Sequence, residues 1–288
     1  MNAERKLRGQ ITRVLSVTGI DHSKFPHTAK EVEDQTVELF RAYISAPEDE
    51  RDAVYTKREE KIVNVVRNAG TVVFYLVRHG HGGWLDKNIY CTRTNRSLSD
   101  QGRERVKLLA ERLAAIPFDI VYTSDLSRAS ETAQLLVGRR HISICKRPDL
   151  REIDVGEWEG LSGEEIDRRY PGWRIKREKD PFSVTPPGGE SLNNAVKRLS
   201  GFLQELDEKH TEGSILIVAH QNVLRLLITL LLEISPKWLR RFDVETASLT
   251  VISRSANSSR LEHLNDTSHF EDFGLPHLGQ QSRAGFSI

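Results

Sequence analysis

Residues 214–220, Ser-Ile-Leu-Ile-Val-Ala-His, hold an apolar run as long as one strand, with no polar alternation. A strand built this way is buried on both faces, the habit of a parallel sheet covered by helices on each side. Residues 72–77, Val-Val-Phe-Tyr-Leu-Val, make a second buried strand. Helical and strand patterns alternate around these two runs. A Ser-capped amphipathic helix spans 99–116, with Leu108, Leu109 and Leu113 on one face. A strand covers 119–124, a helix 127–138 stopped by Gly138, a short strand 141–146, and a long helix 193–210. A helix over 222–234 and a final strand over 247–253 complete the series. Strands alternating with helices of these lengths predict an α/β fold, a three-layer sandwich with a mostly parallel sheet.

The first 70 of the 288 residues read as a helical N-terminal extension. Leu7, Ile11, Val14 and Leu15 share a face, and Thr28 to Glu31 and Ser45 to Glu48 are capping boxes. This extension packs on the main domain, on a second copy to give a homodimer, or on a protein partner. The main domain is expected over 71–270, followed by a flexible C-terminal tail over 271–288. The 42 basic and 41 acidic side chains leave a formal charge of +1, so no global field favours nucleic acid or an anionic membrane. The most apolar helix contains Arg225 and is too short to span a bilayer. The two cysteines, Cys91 and Cys145, are not spaced as a metal site or a disulfide framework, and no signal pattern opens the chain. A cytoplasmic protein is the expectation.

In an open α/β sheet, ligands bind at the carboxyl ends of the strands. The residues there are polar. Strand 72–77 runs into Arg78-His79-Gly80. Strand 119–123 runs into Ser124, with Arg128 in the first turn of the next helix. The run 214–219 ends at His220, and the short third strand leads to Glu152. Each alone is an ordinary surface or structural residue. Together, two arginines, two histidines and a glutamate at one pole make an anion site. Arginine forks match phosphate oxygens, helix N-termini add oriented N–H groups, and Gly80 allows close backbone approach.

No Gly-rich loop with a lysine is present, which excludes a P-loop, and no spaced His, Asp or Cys cluster suggests a metal or another cofactor. Neither cysteine is placed as a nucleophile. His79 can serve if one ring nitrogen is unprotonated and the other is held by a hydrogen bond. Attack on phosphorus would give a phosphohistidine, with Arg78, Arg128 and His220 stabilising charge on the equatorial oxygens. A partly buried Glu152 can protonate the leaving alkoxide and then take a proton from water.

The segments LVRHG, SDLSRASET, LREIDVGEWEG, PPGGES and VAH, in this order, resemble the histidine phosphatase superfamily, also called the phosphoglycerate mutase-like group. LNDTSHF resembles that family's closing segment. The likeness spans roughly 72–270. It implies His79 as the phosphorylated residue, Arg78, Arg128 and His220 as the phosphate pocket, and Glu152 as the proton donor. Within the family the chain looks like the broad bacterial phosphatases and the fructose-2,6-bisphosphatase type. The second likeness implies that Gln221, Arg225 and Arg177 hold a sugar phosphate. Gly163, Pro181 and Leu192 stand where that type has a tyrosine, a lysine and a tyrosine. Leu85 stands where the family usually has an asparagine.

The segment 171–187 carries Arg174, Lys176, Arg177 and Lys179 against Glu178 and Asp180. It reads as a solvated loop, or as a basic rim or lid that selects a second anionic group. Trp158 and Trp173 read as packing residues. The expected function is metal-independent hydrolysis of a small phosphorylated metabolite, sugar phosphates and bisphosphates included. The alternatives are a phosphoglycerate-type mutase, a phosphoprotein phosphatase docked through the N-terminal helices, and an inactive binding module.

Overall fold

A computed structural model describes residues 70–83, 89–255 and 258–271, with only the backbone of Glu271. The helical extension over 1–70, the tail over 271–288, and Leu85 fall outside these residues except at Gly70 and Glu271. Among the described residues six strands form one sheet. They are β1 (Val72–Arg78), β2 (Ile120–Thr123), β3 (Ile144–Lys146), β4 (Gly213–Ala219), β5 (Leu249–Ser255) and β6 (Ser258–Asp266). The order is β3-β2-β4-β1-β5-β6. β3, β2, β4 and β1 run parallel, and β5 is antiparallel to both β1 and β6.

The helices are α1 (Asp100–Arg112), α2 (Ser127–Val137), α3 (Gly163–Arg169), α4 (Trp173–Lys179), α5 (Leu192–Lys209), α6 (Gln221–Leu231) and α7 (Ser268–Glu271). Ser99 Oγ accepts from Gly102 N at 3.1 Å to start α1, and Ser191 Oγ accepts from Asn194 N at 3.1 Å to start α5. Gly138, at φ 57°, ends α2.

The two apolar runs lie side by side at the sheet's centre, with Arg78 opposite Ala219. Their alternate residues feed two cores. Phe74, Leu76, Ile215 and Ile217 pack with Leu199, Phe202 and Leu203 of α5 and Val223, Leu224 and Leu227 of α6. Val77, Leu216 and Val218 pack with Val106 and Leu109 of α1 and Ala129, Ala133 and Leu136 of α2. This is the expected three-layer sandwich. Each fully buried Val, Leu or Ile contributes roughly 1.5–3 kcal/mol, so β4, buried at its last five positions, anchors the sheet. A third small cluster, Tyr90, Val155, Trp158, Ile166 and Val184, includes Ile166 of α3. No described helix is long and apolar enough to cross a membrane.

Two expectations change. The strand at 247–253 is not the last: β6 follows it as the sheet edge. Its residues are mostly exposed, so it carries no buried face for the sequence to signal. The 171–187 segment is not simply a loop, since its first half folds as α4.

Candidate active site

Strand register builds the centre of the site. His79 follows β1 and His220 follows β4, and the two strands are hydrogen-bonded neighbours. His79 N donates to Ala219 O at 3.0 Å. The imidazole centroids therefore sit 5.0 Å apart at 60°. His79 Nδ1 is 2.8 Å from Gly80 O. A carbonyl can only accept, so Nδ1 carries the proton and Nε2 keeps its lone pair. Burial, then the Arg128 and Arg78 cations, push the His79 pKa well below its usual 6.5. The ring is neutral at neutral pH, as a nucleophile must be.

On the other side of His220 lies Arg128, in the first turn of α2. Arg128 Nε donates to His220 Nδ1 at 3.2 Å, which leaves the His220 proton on Nε2, 2.9 Å from Ser124 Oγ. Arg128 Nη2 donates to Thr92 O at 2.7 Å and Nη1 to Thr94 O at 3.0 Å. Burial and the Arg128 charge also depress His220. Arg78 Nη1 donates to Val244 O at 2.7 Å. Burial lowers the Arg78 pKa to about 10, so it stays a cation. The site is thus a buried positive pocket holding two neutral imidazoles.

Glu152 follows a 3-10 turn, Pro148–Leu150, and is 5% exposed. Its Oε1 accepts from Ile153 N at 2.8 Å and its Oε2 from Asn222 N at 3.2 Å. One of the N–H groups at the start of α6, that of Asn222, is therefore aimed at this carboxylate. Glu152 raises the pKa of Arg78, Arg128, Arg177 and Arg225, against the burial that lowers them. It is the acid common to all four.

The three residues assigned to substrate lie on α6 and α4. Gln221 is half-buried beside His220, and Arg225 Nε donates to Phe242 O at 2.7 Å. Arg177, 4% exposed, lies over the Trp158 ring at 5.5 Å. Arg177 Nε and Nη1, Arg225 Nη1, and both side-chain polar atoms of Asn222 have no hydrogen-bond partner among the described residues. The basic rim narrows to this inward residue. Arg174 is held by Asp167 at 2.6 Å and Glu178 at 3.3 Å, while Lys176 and Lys179 face solvent. Trp158 is fully buried, as expected of a packing residue.

Several contributors escaped the sequence. Ser124 holds His220, although its strand-end place was noted. Thr132 Oγ1 accepts from Gly80 N at 3.0 Å and donates to Arg128 O at 2.7 Å. Arg240, half-buried, leaves Nε and Nη2 unpartnered and lowers the pKa of both Arg177 and Arg225. Gly80 faces α1 rather than a phosphate: a Cβ there would meet Val106 at 2.7 Å and Gly102 O at 3.0 Å. Among the described residues no three His, Cys, Asp or Glu side chains converge as metal ligands.

A family model described as "Histidine phosphatase superfamily (branch 1)" matches residues 74–267. "Phosphoserine phosphatase 1" of Hydrogenobacter thermophilus is 30% identical over 202 residues, covering 70% of this chain and 96% of that protein. A 2,3-bisphosphoglycerate-dependent phosphoglycerate mutase of Methylocella silvestris is 33% identical over 191 residues, 64% of this chain and 93% of its own. Among solved structures, the alpha-ribazole phosphatase of Shigella flexneri has a TM-score of 0.63 at 26% identity, covering 68% of this chain and 96% of that one. A mycobacterial glucosyl-3-phosphoglycerate phosphatase in complex with VO3 has a TM-score of 0.62 at 27% identity, covering 67% and 98%.

Proposed function

The chain belongs to the histidine phosphatase superfamily, and on that premise we propose that it hydrolyses a small phosphorylated metabolite through a phosphohistidine on His79. It is a phosphatase. The observation that carries the mechanism is the bond from His79 Nδ1–H to Gly80 O, which leaves Nε2 as a lone-pair donor in the field of Arg78 and Arg128.

Nε2 attacks phosphorus and forms the P–N bond as the ester P–O bond breaks. Glu152, as the acid, gives its proton to the leaving alkoxide. The positive charge that grows on the ring is received by Gly80 O. Arg78 and Arg128 hold the equatorial oxygens, and His220 joins them when its Nε2–H turns from Ser124 Oγ to the phosphoryl group. Water then attacks phosphorus, Glu152 takes its proton, the P–N bond breaks, and His79 returns to its neutral form. No metal enters these steps.

The substrate we propose carries a second anionic group. Arg177, Arg225 and Arg240 flank the Glu152 side of the site with guanidinium N–H groups left unsatisfied, and Gln221 adds a neutral polar group. Arginine forks suit a phosphate or carboxylate. A phosphomutase activity beside hydrolysis is a second reading, favoured by relatives named phosphoglycerate mutase.

The test is phosphate release, with a chelator present, from an aryl phosphate, sugar mono- and bisphosphates, phosphoglycerates, phosphoserine and a phosphopeptide. Rapid quench under alkaline conditions should trap an acid-labile phosphoryl label on the wild type and none on His79→Ala. Turnover should fall on the order of 10⁴-fold or more in that variant. Release persisting in His79→Ala would overturn the mechanism, and phosphoryl shift alongside release would establish the mutase activity.

A further inference from the structure

Glu159 has no part in the steps above, yet it is the most heavily hydrogen-bonded carboxylate near them. It caps the 3-10 turn Gly156–Trp158 and is half-buried. Its two oxygens accept from Thr92 N at 2.8 and 3.1 Å, Thr92 Oγ1 at 2.9 Å, Arg93 N at 3.3 Å, Thr94 N at 2.9 Å and Thr94 Oγ1 at 2.7 Å. Burial pushes this carboxyl up, but the Thr94 and Thr92 donors outweigh it and hold the acid below its usual range.

Two of these residues, Thr92 and Thr94, face Arg128 with their carbonyls. Thr92 O takes Nη2 and Thr94 O takes Nη1. The peptide unit joining Thr92 to Arg93 is therefore held at both ends, its N–H on Glu159 and its C=O on Arg128. A peptide is planar and resists twisting, so fixing one end orients the other. Asn95 Oδ1 accepts from Ser127 N at 2.6 Å, which ties the far side of this turn to the start of α2. Arg128 in turn donates to His220, 5.0 Å from the His79 ring. Besides this contact chain, Glu159 raises the Arg128 pKa electrostatically.

We propose that Glu159 is a positioning residue for the phosphate pocket: it fixes the 92–94 turn so that the Thr92 and Thr94 carbonyls aim the Arg128 fork at the phosphoryl group. This rests on the role given to Arg128 above. A neutral amide at 159 would turn an NH2 group against donors that already point inward, and the turn would relax. Displacements of about 1 Å at a reacting group can cost up to about 100-fold in rate.

A double-mutant cycle decides it. Wild type, Glu159→Gln, Arg128→Lys and the double variant are compared by kcat/KM on an aryl phosphate, by orthovanadate inhibition, and by thermal unfolding. Lysine keeps the charge of Arg128 but not its fork. Glu159→Gln is expected to lower kcat/KM about 10- to 100-fold in the wild-type background. It should cost less than about 2-fold where Arg128 is already lysine, the non-additivity of residues acting as a unit. Vanadate affinity should follow kcat/KM, and Glu159→Asp should restore part of the loss. Equal costs in both backgrounds, or no cost in a folded Glu159→Gln, would overturn the proposal. If Glu159→Gln unfolds, the same cycle with Glu159→Asp carries the same two outcomes. An Arg128→Lys variant of unchanged kcat/KM would instead sink the pocket assignment on which this depends.

Discussion

Arg128 and Arg177 flank Glu152, and they are held in opposite ways. Arg128, on the His79 side, has Nε, Nη1 and Nη2 each tied to a fixed acceptor: His220, Thr94 O and Thr92 O. Arg177, on the α4 side, is as deeply buried but leaves Nε and Nη1 unpartnered. A guanidinium whose hydrogen bonds are made before the substrate arrives has little left to reorganise, which is what stabilising a transition state demands. One whose N–H groups are buried and unmade carries a standing cost that a bound anion can relieve. The first arrangement suits chemistry common to every substrate. The second suits selection among them.

If the catalytic side is rigid because backbone packs on backbone, the largest effect should come from disturbing that packing. A Cβ at Gly102 would lie 2.1 Å from His81 O, a contact with main chain that cannot rotate away. Gly102→Ala should push the start of α1 off the residues that follow His79. A loss of about 1–3 kcal/mol is expected for such overpacking, together with a fall in kcat against every substrate. Chemical denaturation and steady-state kinetics on the same sample check both. An Ala variant with unchanged stability and kcat would show that the catalytic side is softer than its contacts imply.

The α4 side should respond selectively. Arg177→Met removes a buried charge while keeping much of its volume. Hydrogen bonds to charged groups contribute about 1.5–3 kcal/mol, so KM for a bis-anionic substrate should rise about 10- to 100-fold. The aryl phosphate should change little. Thermal stability should rise or hold, since replacing an unpaired buried charge by apolar volume is neutral or favourable. A uniform loss across all substrates would place Arg177 with the catalytic group instead.

The same division governs what the sequence could disclose. The catalytic side was legible because its residues sit at the ends of β1, β2 and β4, whose apolar runs mark them, and the chain order of those strands gathers Arg78, His79, Ser124 and His220. Amphipathic spacing and the Ser99 and Ser191 caps likewise marked α1 and α5. By contrast α3 and α4 are seven residues each, two turns, too short for a periodic signal. β6 is an edge strand without an apolar face. Contacts such as Gly102 against His81, or Glu159 beneath the 92–94 turn, join segments far apart in sequence, and no local pattern records them. The resemblance supplied Arg177, Arg225 and Gln221. The structure alone added Arg240, and with it the contrast between satisfied and unsatisfied guanidiniums.

The smallest effect is also the one that separates charge from geometry on the catalytic side. His79 must be neutral to attack, and its pKa is depressed first by burial and next by Arg128. In the wild type its protonation should therefore govern kcat/KM only below pH 6.5, and activity should persist on the acid side of that value. Arg128→Gln removes the largest single charge that repels the proton while leaving the ring buried. The His79 pKa then rises, and the acid limb of kcat/KM moves to higher pH. His220, depressed by the same cation, shifts in the same direction, so the two changes do not cancel. Arg128→Gln will also lower the plateau, but the position of the limb is independent of its height. A limb that stayed in place while the plateau fell would assign Arg128 a purely geometric role. A limb that moved to lower pH would contradict the electrostatic order of the site.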